Sequence, residues 1–203
     1  MNKIEHSPFN LVDIYPENRE FGLKSAGKVI WITGLSGSGK TTLAIELGKK
    51  ISAIGLKPIL LDGDSMRKIL FEKIILENDY SNESRKTFGM AYSRLSFFLA
   101  TQGFVVITSV IAMFEEIFTW NRINLPGYFE IYLKTPITVL QKRDCKGIYA
   151  DFKRKKLKNV AGLDLKKDEP KTSDLIIEYK KGLSAKDKAT SIMTLLNENR
   201  YFI

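Results

Sequence analysis

This chain of 203 residues holds one cysteine and one histidine. Cys145 alone cannot close an internal disulfide, which suits a reducing compartment, and with His6 alone it cannot build a zinc cluster. Long apolar runs are missing as well. Nothing approaches the roughly 20 residues that cross a bilayer, so neither a transmembrane helix nor a membrane partner is expected. Met1 to Glu20 mixes acidic, basic and polar residues around no apolar core; this argues against a secretory signal and for a cytoplasmic location. Repeats and low-complexity tracts are absent. The rest is the composition of an ordinary folded domain, 44% hydrophobic and 27% charged, long enough for one substantial core.

Charge is the unbalanced quantity, with a net value of +9. Such an excess attracts nucleic acid, but it attracts small polyanionic substrates equally well. Much of it lies between Lys142 and Lys167, which reads either as a solvated helix face or as a basic flap over bound phosphates. A basic nucleic-acid-binding module is the weaker reading. The chain has neither the interleaved aromatics of a single-strand platform nor a recognisable recognition helix, so no nucleic-acid partner is expected.

Short β-branched runs alternate with helical stretches, the pattern of parallel strands joined by crossover helices. The runs are Val29 to Thr33, Ile59 to Leu61, Phe104 to Val110, Phe129 to Leu133 and Leu175 to Ile177. Leu43, Ala44, Leu47 and Ile51 mark a helix that ends near Gly55. A longer one is predicted from Asn82 to Gln102, with Ser81 as its N-cap and Gly103 just past its end. Pro136 opens a short helix carrying Val139, Leu140 and Arg143. Ser184 and Asp187 form a capping pair for the last helix. In such sheets ligands bind beyond the carboxyl ends of the strands. That gathers the loops Gly34 to Thr42, Asp62 to Arg67 and Ser109 to Phe114 around one cleft.

The first of these loops is the most specific feature of the chain. Gly34-Leu35-Ser36-Gly37-Ser38-Gly39-Lys40-Thr41-Thr42 fits the phosphate-loop pattern Gly-x-x-x-x-Gly-Lys-Thr, between a buried strand and a helix. Its backbone amides make a concave anion site, and the following helix adds its positive end. Gly34, Ser36, Gly37, Ser38, Gly39 and Thr42 shape the cradle. Lys40 supplies a charge to the β- and γ-phosphates, and the Thr41 hydroxyl a ligand to Mg²⁺. ATP with Mg²⁺ is therefore the expected cofactor. The second loop, Asp62-Gly63-Asp64-Ser65-Met66-Arg67, offers two carboxylates and a cation, enough to orient a hydroxyl and clamp an anionic acceptor. Asp64 is the candidate proton acceptor or organiser of the metal's water shell, and Asp62 suits either job as well. A hydrolytic switch acting on a protein partner is the other enzyme class considered. A guanine-type switch needs an Asn-Lys-x-Asp element late in the chain, and the Asn2-Lys3 pair precedes the phosphate loop.

These residues together resemble one family. The phosphate loop, Leu61-Asp62-Gly63-Asp64-x-x-Arg67, Arg143-Asp144-x-Lys146-Gly147-x-Tyr149, and Lys158-Asn159-Val160-x-Gly162-x-Asp164 with Pro170 are similar to the adenylyl-sulfate (APS) kinases. His6, Arg19 and Lys24 extend the likeness into the N-terminal segment. The resemblance implies a three-layer P-loop NTPase-type α/β fold, a mostly parallel sheet flanked by helices. It divides the chain into an N-terminal extension over residues 1–27 and a kinase domain over 28–203, with a basic lid at approximately 146–168. It implies transfer of the γ-phosphate of MgATP to the ribose 3′-hydroxyl of a small nucleotide acceptor, by a homodimer. Asp64 takes the catalytic carboxylate role. Arg67 and Arg85 touch the acceptor, Arg143 and Lys146 touch ATP, and Lys158 faces the acceptor. The lid keeps out water, a competing phosphoryl acceptor.

Departures from the family pattern collect in the acceptor pocket. Arg85-Lys86-Thr87-Phe88 stands where the family reads Arg-x-Glu-Asn, so Phe88 replaces an asparagine. Val110-Ile111-Ala112-Met113 stands for Phe-Ile-Ser-Pro, which keeps Ile111 and loses a serine. Of two aromatics that sandwich the acceptor base, Tyr80 survives and the lid phenylalanine is Val160. Losing one aromatic face from a stacked base costs about 1–3 kcal/mol. There are also extra residues between Arg67 and Tyr80. Altered base recognition beside intact phosphate machinery leaves two acceptors open, adenylyl sulfate and the related cytidine diphosphoramidate.

Overall fold

The computed structural model describes residues 27–71 and 80–202. Apart from Gly27, the expected N-terminal extension with His6, Arg19 and Lys24 lies outside the described residues, as do most of the extra residues ahead of Tyr80.

Five strands form one sheet: β1 (Lys28–Thr33), β2 (Pro58–Asp62), β3 (Val105–Val110), β4 (Tyr128–Lys134) and β5 (Leu175–Glu178). Their spatial order is β2-β3-β1-β4-β5, and each neighbouring pair is parallel. The near-continuous apolar runs are explained by this arrangement, because a central parallel strand is buried on both faces. In β1, Ile30 and Ile32 face one layer, while Val29 and Trp31 face the other.

The first layer holds α1 (Lys40–Ala53) and α7 (Ala185–Glu198). Leu43, Ala44, Leu47 and Ile51 of α1 pack with Ala189, Ile192 and Leu196 of α7 over Ile107 and Ile131. The second layer holds α3 (Asn82–Thr101) and α4 (Glu115–Asn124), whose Phe88, Tyr92 and Ile117 pack on Trp31 and Val110. Termini behave as their residues dictate. The Ser81 hydroxyl accepts from the Ser84 amide at 3.2 Å, and Ser184 with Asp187 forms a reciprocal capping box.

Three helices were not foreseen from the sequence: α2 (Gly63–Phe71), α4 and α6 (Ile148–Lys153), beside the short α5 (Ile137–Arg143) that was. One of them corrects an expectation about the site. Asp62 to Arg67 was read as a loop, yet the chain turns helical at Gly63 directly from the strand end. Asp64 therefore sits in the first turn of a helix, where the dipole favours a carboxylate.

Candidate active site

The register of the sheet places Thr33 beside Val110 and Tyr132, and Asp62 beside Ser109, so the loops after β1, β2 and β3 open on the same edge. Two glycines make the first loop possible. A side chain at Gly34 would meet the Leu133 carbonyl oxygen at 2.8 Å, and Gly39, the N-cap of α1, has φ 96° in the left-handed region. The Ser38 hydroxyl is 3% exposed and has no hydrogen-bond partner among the described residues. An orphaned buried hydroxyl beside a left-handed glycine fits a cradle whose partner is a phosphate oxygen.

Lys40 is 9% exposed and donates to the Leu35 carbonyl at 2.9 Å. Burial first, then the charge of Lys146, push its ammonium down to about 8, against partial opposition from Asp64 and Asp62. This lowering has a measurable consequence. At pH 8.5 an empty site holds Lys40 mostly neutral, whereas triphosphate beside it favours the charged form. ATP binding should then take up about 0.7 proton at pH 8.5 and almost none at pH 7. Calorimetric titration in two buffers of different ionisation enthalpy reads this directly; equal heats at pH 8.5 would show Lys40 already charged.

The two aspartates, equivalent on the page of the sequence, differ sharply in place. Asp62 is locked. One of its oxygens accepts from Thr41 Oγ1 at 2.6 Å and Ser109 Oγ at 2.9 Å. The other accepts from the Ser65 amide and hydroxyl, both at 3.2 Å. Burial alone would raise its pKa, but these four hydrogen bonds together hold it below the ordinary carboxylate value. Asp64 has a side chain 63% exposed and an ion pair with Lys146 from the segment after α5. Ser65 and Ser109, the positioners of Asp62, were missed as functional residues; only a known strand register puts Ser109 next to Asp62.

A small cavity of about 70 Å³ lies against Lys40, Thr41, Asp62 and Ser109. It adjoins a larger one of about 480 Å³ beneath Ile148, Leu157, Lys158, Val160 and Ala161. Asp64, Arg67, Tyr80, Arg85, Ile111 and Lys146 line both. The structure thus brings most of the expected site residues together, with Phe88 in the small cavity and Ser36, Lys158 and Val160 in the large one, while Gly34, Gly37, Ser38, Gly39 and Thr42 of the phosphate loop line neither. Arg143 lies on neither and stacks over Tyr179, just past β5, at 4.8 Å. Arg85 donates to the Tyr80 carbonyl at 2.9 Å and to the Asn159 carbonyl at 3.0 Å, tying α3 to the basic segment. Burial first, and then the neighbouring Arg67, lower its guanidinium from the ordinary value, a cost that an anion between the two would remove.

The segment above this site is anchored as well as charged. Asp144 caps α6 by accepting from the amides of Tyr149 and Ala150 at 3.0 and 2.8 Å. The Tyr149 hydroxyl donates to Ser36 of the phosphate loop at 2.8 Å. Its apolar underside, Tyr149 and Val160 with Leu157 and Leu163, packs on Leu35 and Leu140, while Lys153, Lys155 and Lys156 stay exposed. Thr41 and Asp62 offer oxygen donors that suit Mg²⁺. No group of three or more His, Cys, Asp or Glu among the described residues could hold a metal alone, so a metal here needs the nucleotide's own oxygens. No helix among the described residues is long and apolar enough to cross a membrane.

This sheet order, with a Gly-Lys-Thr loop after its central strand β1 and carboxylates at the end of β2, one strand removed from it, defines a P-loop phosphotransferase. The chain belongs to the adenylylsulphate kinase family, whose model matches residues 26–178. It is 39% identical over 157 residues to the cytidine diphosphoramidate kinase of Campylobacter jejuni, covering 76% of this chain and 88% of that one. It is 34% identical over 171 residues to the adenylyl-sulfate kinase of Clostridium acetobutylicum, covering 84% of each. Among solved structures, the Mycobacterium tuberculosis APS kinase in complex with AMPPNP and APS superposes with a TM-score of 0.75, at 28% identity over 85% of this chain and 98% of that one. The protein is accordingly an ATP-dependent kinase that phosphorylates a nucleotide. The switch and nucleic-acid readings are not favoured.

Proposed function

We propose that this kinase transfers the γ-phosphate of MgATP to the ribose 3′-hydroxyl of cytidine diphosphoramidate, with adenylyl sulfate the poorer acceptor. One observation carries the reading: Lys40 lines the cavity at the phosphate loop, and Asp64, Arg67 and Arg85 line both that cavity and the larger one beside it. Phosphoryl transfer asks for positioning and charge neutralisation, and these side chains supply both. The loop and Lys40 hold the triphosphate tail, with Ser38 and Arg143 as further ATP contacts. Thr41 and the locked Asp62 would hold the magnesium ion, which would neutralise charge on the phosphate oxygens. Asp64 orients the acceptor hydroxyl and takes its proton. Arg67, Arg85 and Lys158 bind the acceptor's anionic groups. Lys146, which pairs with Asp64, stands close enough to contribute its charge to the phosphates.

The choice of acceptor rests on the wall of the large cavity. Opposite Tyr80, Val160 with Ile148 and Leu157 makes one side of it aliphatic, where adenylyl-sulfate kinases place a second aromatic against the base. The greater identity to the Campylobacter enzyme supports the same choice. A coupled ADP-release assay with both acceptors, followed by locating the new phosphate, tests the proposal; adenylyl sulfate as the preferred acceptor overturns it. Val160→Phe restores an aromatic face beside a cavity with room for it. It should improve kcat/KM for adenylyl sulfate relative to the cytidine nucleotide about tenfold, the scale of one stacked base. An unchanged ratio would remove Val160 from acceptor choice. Homodimer formation and a cytoplasmic location, which the family resemblance and the lone cysteine suggest, belong to the same proposal.

A further inference from the structure

Arg67 is held in an unusual way for a residue that must meet an anion. Its guanidinium lies 4.6 Å from the ring centre of Tyr80 and 4.2 Å from that of Phe88. Phe88 is 7% exposed and stacks on Tyr92 at 6.4 Å with 29° between the rings. The Tyr92 hydroxyl in turn donates at 3.1 Å to the carbonyl of Gly63, the first residue of α2. One helix, α3, thereby fixes both the start of α2 and the head of Arg67, three residues beyond Asp64 on the same helix. A guanidinium stacked by its faces keeps its five donors in its own plane. Two rings at these distances limit where the head can move, and the guanidinium keeps its planar fork of donors.

We propose that Phe88 is a positioning residue for acceptor binding: with Tyr80 it grips Arg67 so that the guanidinium meets the acceptor's anionic headgroup in one orientation beside Asp64. The inference rests on the kinase reading above and adds a role for the side chain that departs from the family's asparagine. A bulky apolar residue at this point serves the acceptor through a cation and never needs to touch the base.

The test is steady-state kinetics with cytidine diphosphoramidate and adenylyl sulfate on four proteins: unaltered, Phe88→Leu, Arg67→Lys, and the double variant. Phe88→Leu keeps an apolar side chain and removes the aromatic face. It should raise the acceptor KM about fivefold to tenfold, the scale of one well-buried cation–π contact, with kcat within about twofold and the KM for ATP unchanged. Phe88→Tyr, which retains the face, should raise the acceptor KM less than Phe88→Leu does. In the Arg67→Lys background, Phe88→Leu should add less than about twofold, because the planar group it grips is gone. A fully additive double variant, or a matching rise in the KM for ATP, would overturn the clamp and leave a general packing role. If Phe88→Leu does not fold, Phe88→Met with and without Arg67→Lys must show the same non-additive pattern, and additivity there overturns the proposal too. Failure of the unaltered protein to phosphorylate either acceptor removes the proposed function and the clamp with it; turnover with additive variants removes the clamp alone.

Discussion

Asp64→Ala is expected to bind ATP as the unaltered protein does and to transfer phosphate about 10²–10⁴ times more slowly, the range that a positioned proton acceptor supplies. The two aspartates can be assigned because their surroundings differ. Asp62 spends both oxygens on Thr41, Ser65 and Ser109, and against its burial those donors favour its ionised form and occupy the oxygens that an incoming proton would need. Asp64 projects from the first turn of α2 and lines both cavities, exposed and paired with the half-exposed Lys146. A lysine ammonium on that carboxylate marks the position a cationic or hydroxylic group can reach. Asp62→Ala serves as the contrast, since it strips Thr41 of its partner and should weaken the magnesium dependence of ATP binding. Calorimetric ATP binding beside a coupled ADP assay separates the two. Unchanged turnover in Asp64→Ala would strike that residue from the mechanism and return the role to Asp62.

Strong local rules made much of this architecture legible before any coordinates. Five apolar runs became five strands within a residue or two, because a doubly covered parallel strand writes its burial continuously into sequence. Ser81, Ser184 and Asp187 capped the helices they were expected to cap, since those bonds join residues only three apart. Of the short helices, Pro136 announces α5, but α2 and α6 were invisible. α6 has six residues, too few to show a period, and α2 begins at a glycine that reads as a turn. Within the site, Lys40, Asp62 and Asp64 were legible as chemistry, but their division of labour was not. Asp62 is locked by Ser109, 47 positions away, and that proximity is a product of strand pairing. The stack of Phe88 and Tyr80 on Arg67 is hidden for the same reason: it joins α2 to α3 across residues whose spacing carries no pattern. Phe88 was legible only as a departure.

The other large effect expected is at the buried cation. Lys40→Met should lower kcat/KM for ATP about 10²–10³-fold, as removal of one preorganised charge at a developing anion does in other enzymes. Its folding stability without nucleotide should not fall. An ammonium this deeply buried pays a desolvation penalty, visible in its lowered proton affinity, against which the structure sets one carbonyl, Leu35. Methionine fills the same channel with no charge to desolvate. Between about pH 8 and 10.5 the native lysine binds fewer protons than an unfolded one, so the unaltered protein gains stability from this group as pH rises through that window. Lys40→Met should lose that gain, and its advantage over the unaltered protein should be largest below pH 8. Saturating MgATP, at about 100 times Kd, stabilises a binding-competent fold by about 2.7 kcal/mol, a Tm rise of roughly 5–10 °C for a chain of this size. The unaltered protein should show that rise and the variant almost none. A variant that melts lower without nucleotide yet keeps the full ATP-induced rise would mean that Lys40 is a structural anchor for the loop and that the triphosphate is held by the backbone amides alone.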